Sequence, residues 1–199
     1  VAAGASHRLA IKSDGTLWAW GNYEFGQLGN GIKSDPFDYY FVGFSAVKVG
    51  TGFAVAAAGG SMRNSHNLGL KTDGSLWAWG GNESGQLGDG TTTDRLRPAQ
   101  VGTGFAAIAA GSSASGAQSI ALKTDGSLWA WGGNTYGQVG DGTTTNSSTP
   151  KQIGTGFASI ATGEQYTVAI KIDGSLWTWG ENSSGQLGDG SYADSAIPK

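Results

Sequence analysis

One ten-residue segment occurs four times, and it constrains the fold more than any other feature of the chain. It reads Lys-Ser-Asp-Gly-Thr-Leu-Trp-Ala-Trp-Gly at 12–21 and Lys-Thr-Asp-Gly-Ser-Leu-Trp-Ala-Trp-Gly at 71–80 and 123–132. The fourth copy, at 171–180, differs only in Ile172 and Thr178. All 8 Trp lie inside these copies. A second block, Asn-Glu-Ser-Gly-Gln-Leu-Gly-Asp-Gly from Asn82, recurs from Asn22, Asn134 and Asn182. A third, Val-Gly-Thr-Gly-Phe-Ala, starts at Val49 and Val101, and at Ile153 with Ile for Val. The steps between Asp14, Asp73, Asp125 and Asp173 are 59, 52 and 48, so a base unit of 48 with insertions at two sites accounts for the spacing. A fixed period of this length is the signature of a repeat array.

Each unit reads as short strands. Residues 119–124 and 127–131 alternate in polarity, and Asp125-Gly126 between them reads as a primed hairpin turn, which needs positive φ. Trp129 and Trp131 share one strand face, and all the Trp pairs read as inter-blade core. Residues 107–111 read as a narrow inner strand and 98–101 as an outer strand, where proline is tolerated. No segment reads as a helix. The expectation is an all-β chain of β-propeller blades in a single array, with repeats at 1–55, 56–107, 108–159 and a shortened 160–199.

Composition narrows the function. With no Cys there is no disulfide framework, thiolate metal site or cysteine nucleophile. Net charge is −3 and the basic residues are scattered, so the electrostatic footprint of a nucleic-acid binder is missing. No apolar run approaches a membrane span. Low charge with abundant Gly, Ser and Thr points to an extracellular or bacterial cell-surface location, the cytoplasm being the alternative.

The pattern running through Ala3-Gly4, His7, Asp14-Gly15, Trp18, Trp20, Gly21, Asn22 and Gly26-Gln27-Leu28-Gly29 resembles the regulator of chromosome condensation repeat family. Four copies cover essentially the whole chain, and the Trp-x-Trp form resembles the bacterial branch. The resemblance implies a β-propeller, usually of seven blades, which needs far more than 199 residues. The chain therefore reads as part of a larger propeller, or as one that completes a ring with other copies. An array left open would expose unpaired strand edges, a route to self-association. The family includes a nucleotide exchange factor for a small GTPase and bacterial inhibitors of β-lactamase, both acting by surface contact.

Residues present in every unit serve the blade, so function is sought where units differ. His7 and His66 share a position with Gln118 and Tyr166, and no nucleophile motif accompanies them, so they read as structural. Asp89-Gly-Thr-Thr-Thr-Asp94 offers oxygen ligands, but it departs from the EF-hand pattern and recurs as a turn. No catalytic residue, cofactor or metal site is expected. The longest insertion carries Phe37, Tyr39 and Tyr40, and another carries Arg63. In an antiparallel blade, the inner-strand exits and the loops after Trp-x-Trp emerge on one face. That face gathers Tyr23, Phe25, Arg63, Tyr136 and Tyr166, and these with Phe37, Tyr39 and Tyr40 are the expected partner-binding residues. The leading expectation is a non-enzymatic module that grips a protein through this face. The competing ones are a structural or surface-display unit, an inhibitor of a secreted enzyme such as a β-lactamase, and an enzyme or lectin built on an axial funnel.

Overall fold

The computed structural model describes residues 1–34, 42–61, 64–113 and 116–199, with only the backbone of 42–44. Phe37, Tyr39, Tyr40 and Arg63 lie outside the described residues. The described residues form strands, turns and loops, with no helix.

Four antiparallel sheets follow one another as blades. The first holds β1 (Ala2–Ala3), β2 (His7–Ile11), β3 (Leu17–Asn22) and β4 (Val42–Gly50). The second holds β5 (Phe53–Gly59), β6 (His66–Lys71), β7 (Leu76–Gly80) and β8 (Arg95–Gly102). The third holds β9 (Phe105–Ala110), β10 (Gln118–Lys123), β11 (Leu128–Gly132) and β12 (Ser147–Gly154). The fourth holds β13 (Phe157–Thr162), β14 (Tyr166–Lys171) and β15 (Leu176–Gly180). Blades two to four open at Phe53, Phe105 and Phe157, three residues ahead of positions 56, 108 and 160. Residues 195–199 lie where the other blades have their outer strand. Ser195 pairs with Gly180, and Thr178 and Lys199 exchange bonds of 2.9 and 3.2 Å, the register in which β7 meets β8 at Gly80–Arg95 and Ala78–Ala99.

The Asp-Gly hairpin differs from the primed turn that its sequence suggests. Gly126 N–H donates to Lys123 C=O at 3.0 Å, Lys123 N–H donates to Ser127 C=O at 2.9 Å, and only Gly126 has positive φ, at 78°. This is a type I turn closed by a left-handed glycine, and Asp125 is spared the left-handed conformation that a type I′ turn would impose on it. The freed Asp125 carboxylate accepts from Ser127 N–H at 2.9 Å and Ser127 Oγ at 2.6 Å, and Ser127 Oγ in turn accepts from Trp129 Nε1 at 2.9 Å. The same relay runs Asp14–Thr16–Trp18, Asp73–Ser75–Trp77 and Asp173–Ser175–Trp177. The hydroxyl and amide donors hold all four aspartates below the ordinary carboxylate range.

The core lies between blades. One layer sets Leu9, Leu17, Ala19 and Leu28 of the first blade against Phe53 and Trp79 of the second. The next sets Leu68, Leu70, Leu76, Ala78 and Leu87 against Phe105, Ala121 and Trp131. The third sets Ile120, Leu122, Leu128, Ala130 and Val139 against Phe157, Ala169 and Trp179. Each buried side chain of this size contributes about 2 kcal/mol of transfer free energy.

Only the second Trp of a pair belongs fully to this core, which corrects the expectation that all eight do. Trp79, Trp131 and Trp179 are buried, and their indole N–H groups donate to the backbone carbonyls of Gln27, Gln86 and Gln138 in the preceding blade, at 3.1, 2.9 and 3.0 Å. Trp77, Trp129 and Trp177 are half-buried at the joint margin, each under a lysine. Lys71 Nζ, for example, lies 4.2 Å from the Trp77 ring centre and 5.2 Å from that of Phe53. Such cation–π contacts add about 0.5–1 kcal/mol each at partly exposed sites. The repeat glutamine thus bridges blades with its backbone carbonyl, while its side chain caps its own loop, as Gln86 Oε1 does for Ser84 N–H at 2.9 Å.

Candidate protein-interaction face

The recurrent polar residues are occupied in building blades. Asn134 is buried, and its Oδ1 accepts from Val139 N–H at 2.9 Å. Its Nδ2 donates to Asp141 Oδ1 and to the carbonyls of Thr143 and Thr145, at 3.2, 3.0 and 3.0 Å. Asn82 and Asn182 sit in equivalent cages. The oxygen-rich Asp89-Gly-Thr-Thr-Thr-Asp94 segment is such a cage. Its Asp89, Thr91 and Thr93 oxygens face the Asn82 amide, and Asp94 accepts from Asn82 N–H at 3.0 Å. The other Asp89 oxygen takes Arg95 Nε at 2.6 Å, and Asp141 takes Lys151 Nζ at 2.9 Å. Burial pushes both carboxyls up, but the donated hydrogen bonds outweigh it and the net shift is down.

The first blade departs from this scheme by one residue. Gly26 N–H donates to Tyr23 C=O, as Gly85 N–H does to Asn82 C=O, and Asn22 N–H donates to Ser6 C=O, as Gly81 N–H does to Ser65 C=O. Tyr23 therefore holds the place of the caged asparagine, and Asn22 the place of a glycine. Asn22 Oδ1 instead accepts from Glu24 N–H at 3.0 Å and from Gln27 Nε2.

The two histidines also serve the joints. His7 Nε2 lies 2.6 Å from Asn67 Oδ1 and His66 Nε2 lies 2.9 Å from Ser119 Oγ, each partner belonging to the next blade. Asn67 Nδ2 and Ser119 Oγ go on to donate to the carbonyls of Gln27 and Gln86, at 2.8 and 2.7 Å. Burial lowers the pKa of both histidines. Among the described residues, no group of three or more His, Cys, Asp and Glu side chains is arranged to hold a metal ion.

Among the described residues, the loops after Trp-x-Trp and the inner-strand exits share one face, and hydrogen bonds tie it together. Within blades, Gly81, Gly133 and Glu181 N–H donate to the Ser65, Ala117 and Gln165 carbonyls at 2.8–2.9 Å, joining each loop after Trp-x-Trp to the inner-strand exit. Between blades, Gly60 N–H donates to Gly111 C=O at 2.8 Å, Ser112 Oγ to Gly60 C=O at 2.9 Å, and Gln165 Nε2 to Ser113 Oγ at 2.8 Å. Tyr23, Phe25, Tyr136 and Tyr166 all lie on this face and are half-buried. Tyr23 packs against the first inter-blade layer, and the Tyr166 ring lies where a Cβ on Gly163 would be.

A charge feature escaped the sequence reading. The chain has four glutamates, Glu24, Glu83, Glu164 and Glu181, and every one is in a loop of this face. Glu83 and Glu164 are exposed, and Glu24 and Glu181 are half-buried. Lys12, Lys71, Lys123 and Lys171 stand at the opposite ends of the strands, beside the Asp-Gly turns. The signal was present in the sequence: Glu24 and Glu83 stand within the Asn-Gly-Gln loop segments, Glu181 directly before one, and Glu164 directly after the inner-strand glycine Gly163.

Family models described as the regulator of chromosome condensation (RCC1) repeat match residues 73–118 and 125–170, and also 1–27, 105–138 and 157–186. The chain is 32% identical over 153 residues to the ultraviolet-B receptor UVR8 of Arabidopsis thaliana, a match covering 77% of this chain and 33% of the receptor. It is 36% identical over 140 residues to human protein RCC2, covering 68% of this chain and 25% of that protein. It thus spans a third or less of these relatives. The crystal structure of Prp20p from Saccharomyces cerevisiae, described with its binding to Gsp1p and histones, superposes with a TM-score of 0.81 at 23% identity, over 98% of this chain and 48% of Prp20p. That likeness establishes the propeller fold.

Proposed function

This chain belongs to the regulator of chromosome condensation repeat family, and from that premise we propose that it is a non-enzymatic protein-interaction module whose loop face binds a protein partner with a basic surface. The carrying observation is the division of labour between residues. The recurrent Asp, Ser, Asn and Gln side chains are engaged within the blades, whereas all four glutamates and the half-buried aromatics Phe25 and Tyr136 lie together on one braced face. A rigid face with half-buried aromatics and all four glutamates suits recognition by contact, with charge setting encounter rate and specificity. Binding by surface contact also agrees with the partners named for Prp20p.

The test is affinity capture with the purified chain beside a variant carrying Glu24→Gln, Glu83→Gln, Glu164→Gln and Glu181→Gln. A Lys48→Ala variant, altered on the exposed outer strand of the first blade, is the control. The expected result is a partner retained by the chain and by the control, with affinity about tenfold weaker for the quadruple variant and falling with salt. Equal retention by all three at every salt concentration moves the binding surface off this face.

A further inference from the structure

The joint between the first and second blades carries a groove on its outer side, and the blades on both sides of it are four-stranded. Val49, Phe53, Trp77 and Pro98 line a pocket of about 240 Å³ there, and Lys71 and Arg97 are its charged residues. A second cleft, of about 500 Å³, continues from Arg97 and Pro98 along β8 to Asp94. The apolar part of the groove recurs along the chain. Lys123 over Phe105 and Trp129, and Lys171 over Phe157 and Trp177, repeat Lys71 over Phe53 and Trp77.

The second cation does not recur. Gly31, Gly90 and Gly142 N–H donate to the carbonyls of Leu96, Ser148 and Ala196 at 2.8–2.9 Å, so Arg97, Thr149 and Ile197 hold one position in successive joints. Only Arg97 is charged, and its guanidinium rests on bare backbone. A Cβ on Gly31 would lie 2.5 Å from Arg97 Nη2 and 2.7 Å from Cζ and Nε. Among the described residues, the side-chain ion pairs engage Lys33, Arg95, Lys151 and Lys199, and neither Lys71 nor Arg97 is in one. The carboxylates of this region have other donors. Asp73 accepts from Ser75, Asp89 from Arg95, and Asp94 from Asn82 N–H.

We propose that this groove binds an acidic peptide segment of a partner, a carboxylate held by Arg97 and Lys71 and a neighbouring apolar side chain on Phe53, Trp77 and Pro98. The guanidinium offers a fork that matches a carboxylate, and the ammonium adds a point charge. The pocket is smaller than the roughly 300–1,000 Å³ typical of small-molecule sites and suits one or two side chains. A pair of cations in a chain of net charge −3 is too small a footprint for nucleic acid. The groove takes the opposite charge from the glutamate-bearing loop face and is a separate site.

An NMR titration that follows the tryptophan indole N–H signals tests this. The probes are the terminally blocked peptide Ala-Leu-Glu-Glu-Leu-Ala and its Gln counterpart. The glutamate peptide should move the Trp77 signal, less so as salt rises, and the glutamine peptide should not. Arg97→Thr, which gives this joint the residue of the next one, should weaken binding about tenfold. Thr149→Arg should bring the Trp129 signal into the response. The variant lacking all four glutamates should bind the peptide as the chain does, so this site and the loop face fail or stand separately. No response up to millimolar peptide, an equal response to the glutamine peptide, or undiminished binding by Arg97→Thr overturns the proposal. So does a Trp129 signal unmoved in Thr149→Arg, or inorganic phosphate that matches the peptide in response and affinity, which would make the groove a seat for simple anions.

Discussion

At the scale of the residue, Gly59 and His66 form a unit. A Cβ on Gly59 would lie 2.7 Å from His66 Cε1, so the imidazole rests on bare backbone, and the Ala-Gly-x-x-His pattern of the first blade repeats the arrangement with Gly4 and His7. Desolvation drives the His66 pKa from 6.5 to about 3, with the nearby His7 adding a smaller push. The neutral ring is therefore the native form. The stabilisation is complete above pH 6.5, is lost progressively as the unfolded state takes up a proton below it, and stops changing near pH 3. His7 shifts in the same direction. The four turn aspartates also lose stabilisation on acidification, but only once the pH falls below their unfolded pKa of 3.8, so the windows separate. Replacing His66 by Gln, which the third blade carries as Gln118 with Nε2 3.2 Å from the Tyr166 carbonyl, should keep the fold. It should also remove up to ~1.4 kcal/mol per pH unit of the decline in unfolding free energy between about pH 6 and 4. Urea unfolding at several pH values measures both slopes, and equal slopes would show that His66 is protonated in the native state.

At the scale of the element, strands were more legible in the sequence than the loops that hold them. Residues 119–124 and 127–131 became β10 and β11 nearly as their alternation indicates, and 98–101 fell inside β8. The Asp-Gly turn was placed correctly but typed wrongly. The dipeptide serves both turn types, and only backbone bonding separates them. The Asn loop was harder still. Its recurrence marks it as scaffold, yet nothing in the sequence says that the amide nitrogen of Asn134 organises Asp141, Thr143 and Thr145, 7 to 11 residues on. The one-residue offset that puts Tyr23, which has no amide, in the place of the caged asparagine was hidden by the adjacent Asn22. Asn134→Ala should therefore cost far more than a typical loop substitution. It strands several polar groups at a buried site, an expected loss of about 2–4 kcal/mol seen as a lower urea midpoint. A loss within ~0.5 kcal/mol would mean that water replaces the amide in the cage.

At the scale of the whole molecule, position in the array decides what a repeated residue is worth. Trp20 and Trp131 are the same letter of the same motif on the same strand face, and sequence alone treats them alike. The structure separates them, because Trp131 is buried with its N–H on the Gln86 carbonyl while Trp20 is 37% exposed. Stacked repeats are stabilised largely by nearest-neighbour interfaces, so an internal joint lies in series with the rest. Trp131→Ala removes the large side chain at the middle joint, at an expected cost of ~3–5 kcal/mol. Blades one and two should then unfold apart from blades three and four, broadening the urea transition. Trp20→Ala should cost less than half as much and leave the transition sharp. Equal losses for the two variants would show that the part-exposed Trp20 is packed as tightly as the buried Trp131 of the middle joint.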